Sequence, residues 1–148
     1  MIIESLIKLF KRDLTALKKE INSYSDEKKL WVVSQDISNS AGNLCLHLVG
    51  NLNHFIGETL GDSGYVRHRN LEFSLKDVPR TELIKQVDDT MTVVETVLNK
   101  FIETDLQKEY KRRVFEEAMT TEYFLMHLTM HLAYHLGQIN YHRRLLDT

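Results

Sequence analysis

Four of the chain's seven histidines stand close together near its end, at His127, His131, His135 and His142. At about 100° per residue on an α-helix, these four and Gln138 fall within roughly an 80° arc. They form a polar stripe on a segment otherwise rich in Leu, Met, Phe, Tyr and Ile. His131 and His135 are one helical turn apart, the i,i+4 spacing that lets two imidazoles reach one ion from the same face. With a rise of 1.5 Å per residue, His127 lies about 12 Å from His135 along the axis, and His142 about 10 Å beyond it. Neither can join the pair at a single ion, so a third ligand must come from another element.

A second histidine-bearing stripe supplies candidates. Relative to His47, the side chains of Asn51, His54 and Glu58 project within about 40° on a helix. His47 and His54 are about 10 Å apart along that helix, so one of them, not both, completes the site, and spacing leaves the choice open. Three imidazoles leave room at the ion for water or substrate, which is the arrangement of catalytic rather than structural zinc. Such an ion lowers the pKa of bound water or of a thiol, or polarises a carbonyl. Imidazole suits several divalent ions, with Zn²⁺ and Ni²⁺ the first candidates. Cys45 lies about 160° around the helix from His47 and is expected to be a small apolar core residue. Leu132 follows His131, so the H-E-x-x-H base of zincin-type proteases is missing. A bis-histidine haem between the two helices is the competing ligand, with nothing else marking a haem pocket.

The elements that must position these groups are helical. One proline and six glycines in 148 residues favour long helices. Ile3, Leu6, Ile7, Phe10, Leu14, Leu17 and Ile21 keep helical spacing over about residues 2–22. A turn from Ser23 leads to a connection in which Trp31 packs on the core. Asn39 or Ser40 caps a second helix that runs to about Leu60, where Gly61 stops it. Residues 61–74 read as an irregular stretch that either lines a site entrance or is a connection with surface charge. A third helix starts near Asp77–Pro79, with Leu83, Val87, Met91, Val94, Leu98 and Phe101 on its buried face to about residue 103. The span Glu103 to Met119 is charged and has no clear periodicity. Thr120 or Thr121 caps the last helix, which runs to about Leu146. The expectation is an all-α, single-domain helical bundle over residues 1–148, with connections too long to dictate its topology.

Composition narrows the partners. Nineteen basic against 21 acidic residues give a formal charge of −2, which provides no electrostatic reason to bind nucleic acid. Neither a signal peptide nor a membrane-spanning apolar run is visible. A single cysteine suits a reducing compartment, and a cytoplasmic protein is expected.

The segments His131-Leu-Ala-Tyr-His135-Leu-Gly137-Gln138-Ile139 and Leu44-Cys-Leu-His47-Leu resemble the DinB-like (DinB/YfiT) metalloenzymes, and the resemblance extends over essentially the whole chain. It implies a four-helix bundle in up-down-down-up order, with a long crossover between helices two and three, and frequently a homodimer. It also implies a metal held by His47, His131 and His135, which leaves Asn51, His54 and Gln138 as pocket or outer-sphere residues. Some members of that family look like thiol-S-transferases or thiol-dependent isomerases, implying a low-molecular-weight thiol and a small electrophilic substrate. Arg67 and Arg69 are candidates to grip a substrate carboxylate; Glu58 and Glu72 are candidates for a base or for support of a ligand. Gly137 reads as a close helix-packing position and Gln138 as a residue that orients an imidazole. The competing class is a non-catalytic binding or stress-response module with a structural or vestigial metal.

Overall fold

The scarcity of helix breakers carries through to the structure, a computed structural model that describes residues 1–148 and consists of helices with no β-strand. Helix α1 spans Ile2–Ser23, and a 3₁₀ turn spans Glu27–Trp31. Helix α2 spans Ala41–Leu52 and continues without a break through a π-helical segment, Asn53–Glu58, into a last turn, Thr59–Gly61. The short α3 spans Arg69–Ser74, α4 spans Arg80–Leu98, α5 spans Glu103–Leu106 and α6 spans Thr121–Leu146.

Local chemistry sets most of these boundaries. Ser40 and Thr120 begin α2 and α6 by accepting hydrogen bonds from the backbone N–H groups of Asn43 and Tyr123, satisfying donors that have no partner within the helix. The run after α2 ends at Asp62, which adopts the left-handed conformation (φ 48°) and turns the chain away. Pro79 stands just outside α4 rather than in its first turn. Two expectations fail here. Residues 61–74 are not wholly irregular, because Arg69–Ser74 is helical and lies on α2, tied by Asn43 Nδ2, which donates to the carbonyls of Glu72 and Leu75 at 2.9 and 2.8 Å. The third long helix stops at Leu98 instead of about residue 103, where the chain makes a tight turn; Glu103 opens a separate helix beyond it. The charged span that follows is fastened by Tyr110 N–H to Met119 O and Thr121 N–H to Lys108 O, both 2.9 Å.

Helix α2 is the most enclosed element: every residue from Ala41 to Leu52 is buried. It packs against α3, α4 and α6, while α1 packs mainly against α4 and α6. The apolar face of α1, with Leu6, Phe10, Leu14, Leu17 and Ile21 almost fully buried, meets that core; each such side chain contributes about 1.5–3 kcal/mol by leaving water. Along the α1–α4 contact, Lys11 pairs with Glu95 and Lys18 with Asp88. Between α2 and α4 the approach is close at Gly57 and Gly61, where any Cβ would press on Val93 and Val97. Asn53 Nδ2 joins the same two helices by donating to Thr90 Oγ1 at 2.9 Å. Between α2 and α6, His47 faces His135 and Phe55 faces Phe124, with ring centroids 5.2 and 5.1 Å apart. No helix is long and apolar enough to cross a membrane.

Candidate metal centre

The regular pitch of α6 brings His131 and His135 to one level, and their Nε2 atoms lie 3.2 Å apart. Across the interface, α2 delivers His47, whose Nε2 is also 3.2 Å from His131 Nε2. All three nitrogens lie within 4.8 Å of one another, close enough to hold one metal ion. Two imidazoles bound to one zinc at about 2.0–2.1 Å in a tetrahedral arrangement would have their nitrogens about 3.4 Å apart. The two 3.2 Å separations are close to that spacing.

The outer faces of the rings decide where their protons sit. His47 Nδ1 is 3.0 Å from Glu72 Oε1, and Arg67 grips the same carboxylate, Nε to Oε2 at 2.8 Å and Nη2 to Oε1 at 3.0 Å. Glu72 is almost fully buried, which by itself would raise its pKa. Hydrogen bonds from His47 and Arg67, with the positive charge of Arg67, overcome this and hold it below the ordinary carboxylate value. An ionised carboxylate only accepts, so His47 carries its proton on Nδ1 and presents a bare Nε2. His135 Nδ1 lies 2.7 Å from Gln138 Oε1, a carbonyl-type acceptor, and the same reasoning leaves its Nε2 bare.

His131 therefore faces two lone pairs and can donate to only one of them. Its other nitrogen, Nδ1, is buried without any partner. If Nε2 carries the proton, one neighbouring lone pair and the buried Nδ1 go unsatisfied; if Nδ1 carries it, three lone pairs converge. Either arrangement leaves buried polar atoms at a cost of about 1–3 kcal/mol each. A cation at the point of convergence would satisfy all three Nε2 lone pairs and leave only the Nδ1–H of His131 without a partner, so the residues present fit a divalent metal. Burial, then the neighbouring His135, His47, His127 and Arg67, push the His131 pKa down to about 4. Burial likewise lowers that of His135. Both imidazoles are thus neutral, the form that binds metal, at ordinary pH.

The remaining candidates are placed as follows. His54 and Glu58 sit in the π-helical segment that continues α2. Glu58 instead accepts a hydrogen bond from the Gly64 N–H, and the His54 ring lies on Phe55. Asn51 is buried on α2 with its Oδ1 unpartnered. Arg67 is held on Glu72, whereas Arg69 is exposed and lies over the Phe73 ring, 5.3 Å from its centroid. Gly137 is not a packing position within the chain: nothing lies within 4 Å of where its Cβ would be. His127 stacks on Phe124. His142 lies outside the cluster, where it donates from Nε2 to Val32 O at 2.8 Å and accepts at Nδ1 from the Tyr24 hydroxyl at 2.7 Å. Cys45 is fully buried, and its thiol pKa is pushed up to about 12.

One contributor is absent from the sequence-based set. Gly50, almost one turn beyond His47, leaves the space that the Glu72 carboxylate fills, and any Cβ there would collide with it. An isolated glycine inside an apolar helix costs about 1 kcal/mol relative to alanine and so signals a packing constraint. What it accommodates is visible only when α3 folds over α2.

No curated protein matches the chain. A family model does, over residues 2–148, nearly the full length of the bundle and all three histidines of the cluster. The chain belongs to that family, DUF1572, which is described as a protein of unknown function.

Proposed function

We propose that His47, His131 and His135 hold a divalent ion, zinc or nickel, and that the protein is a metal-dependent enzyme of the DinB-like kind, acting on a small electrophile with a low-molecular-weight thiol as co-substrate. The observation that carries this reading is the convergence of three imidazole nitrogens, two of them left bare by Glu72 and Gln138. When bound, the ion supplies Lewis acidity and lowers the pKa of a coordinated thiol. The protein's own groups do the rest. Glu72 and Gln138 hold the rings in the tautomer that offers Nε2, and Arg67 offsets the buried charge of Glu72. His131 and His135 are only partly buried, which leaves the α6 side of the cluster open to a thiol or substrate. Arg69, exposed and not tied to a carboxylate, is the cation available to a substrate carboxylate. The protein acts in the cytoplasm on this reading, since a thiol co-substrate needs a reducing compartment.

The proposed architecture is a four-helix bundle of α1, α2, α4 and α6 in up-down-down-up order. The pairs Lys11–Glu95 and Lys18–Asp88 favour opposed directions for α1 and α4. Contacts of Gly57 with Val93 and Gly61 with Val97 favour a shared direction for α2 and α4, which requires the long crossover carrying α3. His47 with His135 and Phe55 with Phe124 favour opposed α2 and α6.

A specific observation favours a second reading, a non-catalytic binding or stress-response module. Glu72 and Arg67, the acid and cation nearest the cluster, are engaged with each other and with His47, so neither is free to serve as a base or a substrate clamp. Metal analysis of protein purified without chelator tests the site itself: about one equivalent of zinc or nickel is expected, and below a tenth of an equivalent with no uptake on titration would remove it. Screening metal-loaded protein against several thiols and electrophiles separates the two readings. Turnover that disappears in His131→Ala supports the enzyme, and no turnover across the panel supports the module.

A further inference from the structure

Arg12, Arg67, Arg113 and Arg143 are each paired with a carboxylate. Arg112 is fixed by a neutral group instead: its Nε donates to the Thr59 hydroxyl at 2.6 Å, and no carboxylate pairs with it. Thr59 is buried, and its hydroxyl donates to the His54 carbonyl at 2.9 Å, so its oxygen is oriented to accept from Arg112. The Thr59 backbone N–H reaches the same carbonyl and closes the π-helical turn. Such turns are rare and frequently stand at functional sites. One threonine thus holds both the turn that carries His54 and the guanidinium of Arg112.

What this arrangement leaves over is donor capacity. With Nε taken, the Nη groups of Arg112 keep their N–H donors free at the surface. The half-buried His54 ring rests on Phe55 and makes no hydrogen bond of its own. Burial, then the positive charges of Arg112 and Arg67, lower its pKa against the pull of Glu58 and Glu72, so at neutral pH it is uncharged and offers one N–H. Arg67 is already offset by Glu72, and Glu58 accepts from the Gly64 N–H. Rings connect this corner to the histidine cluster. Phe55 stands edge-on to Phe124, and Phe124, His127 and His131 follow one another along α6 with centroids 5.7 and 6.3 Å apart. Along α2, His54 lies about 10 Å from His47.

We propose that the free Nη groups of Arg112 and the His54 imidazole bind an anion, the carboxylate or phosphate of a small molecule whose body runs along the Phe55 and His127 rings. Guanidinium offers either group a planar, two-pronged set of donors. A side chain already fastened by a buried hydroxyl also loses less freedom on binding than a loose one. Arg69, by contrast, leans on Phe73 with no hydrogen bond to hold it. The far end of the bound molecule then lies beside the histidine cluster, on the order of 10 Å from its anion. That extension rests on the metal-dependent function proposed above, whereas the anion site itself does not.

Titration of the metal-free full chain with inorganic phosphate and with benzoate, at constant ionic strength, tests the site through the His54 ring signals of histidine-labelled protein, assigned by their loss in His54→Gln. Saturable shifts with a Kd below about 10 mM are expected for at least one probe. Saturation by benzoate alone assigns a carboxylate, and by phosphate alone a phosphate. Arg112→Gln should weaken binding by about tenfold or more with helicity unchanged, and Arg112→Lys, which keeps the charge but not the fork, should recover part of the loss. Lys111→Gln, at the exposed neighbouring position, should change binding by less than about twofold, which separates a built site from general positive charge. No saturation up to about 50 mM, binding indifferent to Arg112→Gln, or an equal loss in Lys111→Gln would each overturn the proposal. Metal uptake, measured separately, reports on the histidines alone. Its failure would remove the extension toward the cluster and leave the anion site standing, whereas failed anion binding overturns the site whatever metal is held.

Discussion

His131 and His142 lie on one face of the same helix, yet the fold treats them differently. His142 is the more buried, with both ring nitrogens satisfied by Tyr24 and the Val32 carbonyl. His131 points Nε2 at two other imidazole nitrogens and leaves Nδ1 buried without a partner. The first is a core histidine whose hydrogen bonds hold the end of α6 to the segment after α1. The second aims Nε2 at two bare nitrogens, an arrangement that suits a ligand, while its Nδ1 has no partner whether or not an ion is bound. Burial therefore does not distinguish the two; the accounting of both ring nitrogens does.

The sharpest way to break this comparison is to remove each ring in turn. His131→Ala should lower metal affinity by more than about 100-fold, beyond the 10–100-fold typical of losing an outer partner. Calorimetric titration measures it, and the stabilisation of the fold by added metal should vanish with it. His142→Ala should leave metal uptake unchanged but destabilise the protein by about 3 kcal/mol in urea unfolding, because it strands two buried partners and opens a cavity. If His142→Ala abolished metal uptake, or His131→Ala left it intact, the distinction would be wrong.

Smaller effects sharpen it. Glu72→Gln removes the charged acceptor that fixes the His47 tautomer and should cost about 10–100-fold in metal affinity. Gly50→Ala should act in the same direction by displacing that carboxylate, and a titration that moved in neither variant would count against Glu72 as the orienting group. For the metal-free protein, the His131 pKa is lowered on folding from 6.5 to about 4. The stability it contributes is fully present above about pH 6.5 and is lost as pH falls toward 4, because only the unfolded chain takes up the proton over that range. Urea midpoints measured from pH 8 to 4 should be flat above 6.5 and decline below it, and His131→Leu should flatten the decline. The smallest change is expected for Gln138→Ala, less than about tenfold in affinity, since Gln138 is exposed and water can replace its carbonyl.

Much of the helical layout was legible in advance because it depends on local chemistry. Ser40 and Thr120 begin their helices as side-chain caps of those types do, and the periodic apolar faces of α1 and α4 turn inward. The site was legible where it depends on one helix alone. Regular pitch places His131 and His135 together whatever the rest of the chain does. The π turn was not legible, since i→i+5 bonding at Asn53–Glu58 has no compositional mark.

Amino-acid order by itself determined that two imidazoles share one level of α6 and that α2 offers histidines to meet them, because both follow from the rise and twist of a single helix. Helix spacing left open which histidine of α2 arrives and the family resemblance implied His47; the tertiary structure brings His47 to the pair, because arrival depends on the register of two helices far apart in the chain. It also decided the roles of Glu72 and Arg67. From sequence Glu72 was a candidate base or support of a ligand and Arg67 a candidate carboxylate grip; folding α3 over Gly50 makes them partners of each other and of His47. A charge can be read from a sequence, but its partner cannot, because pairing depends on distances of a few ångströms that only the packed chain sets.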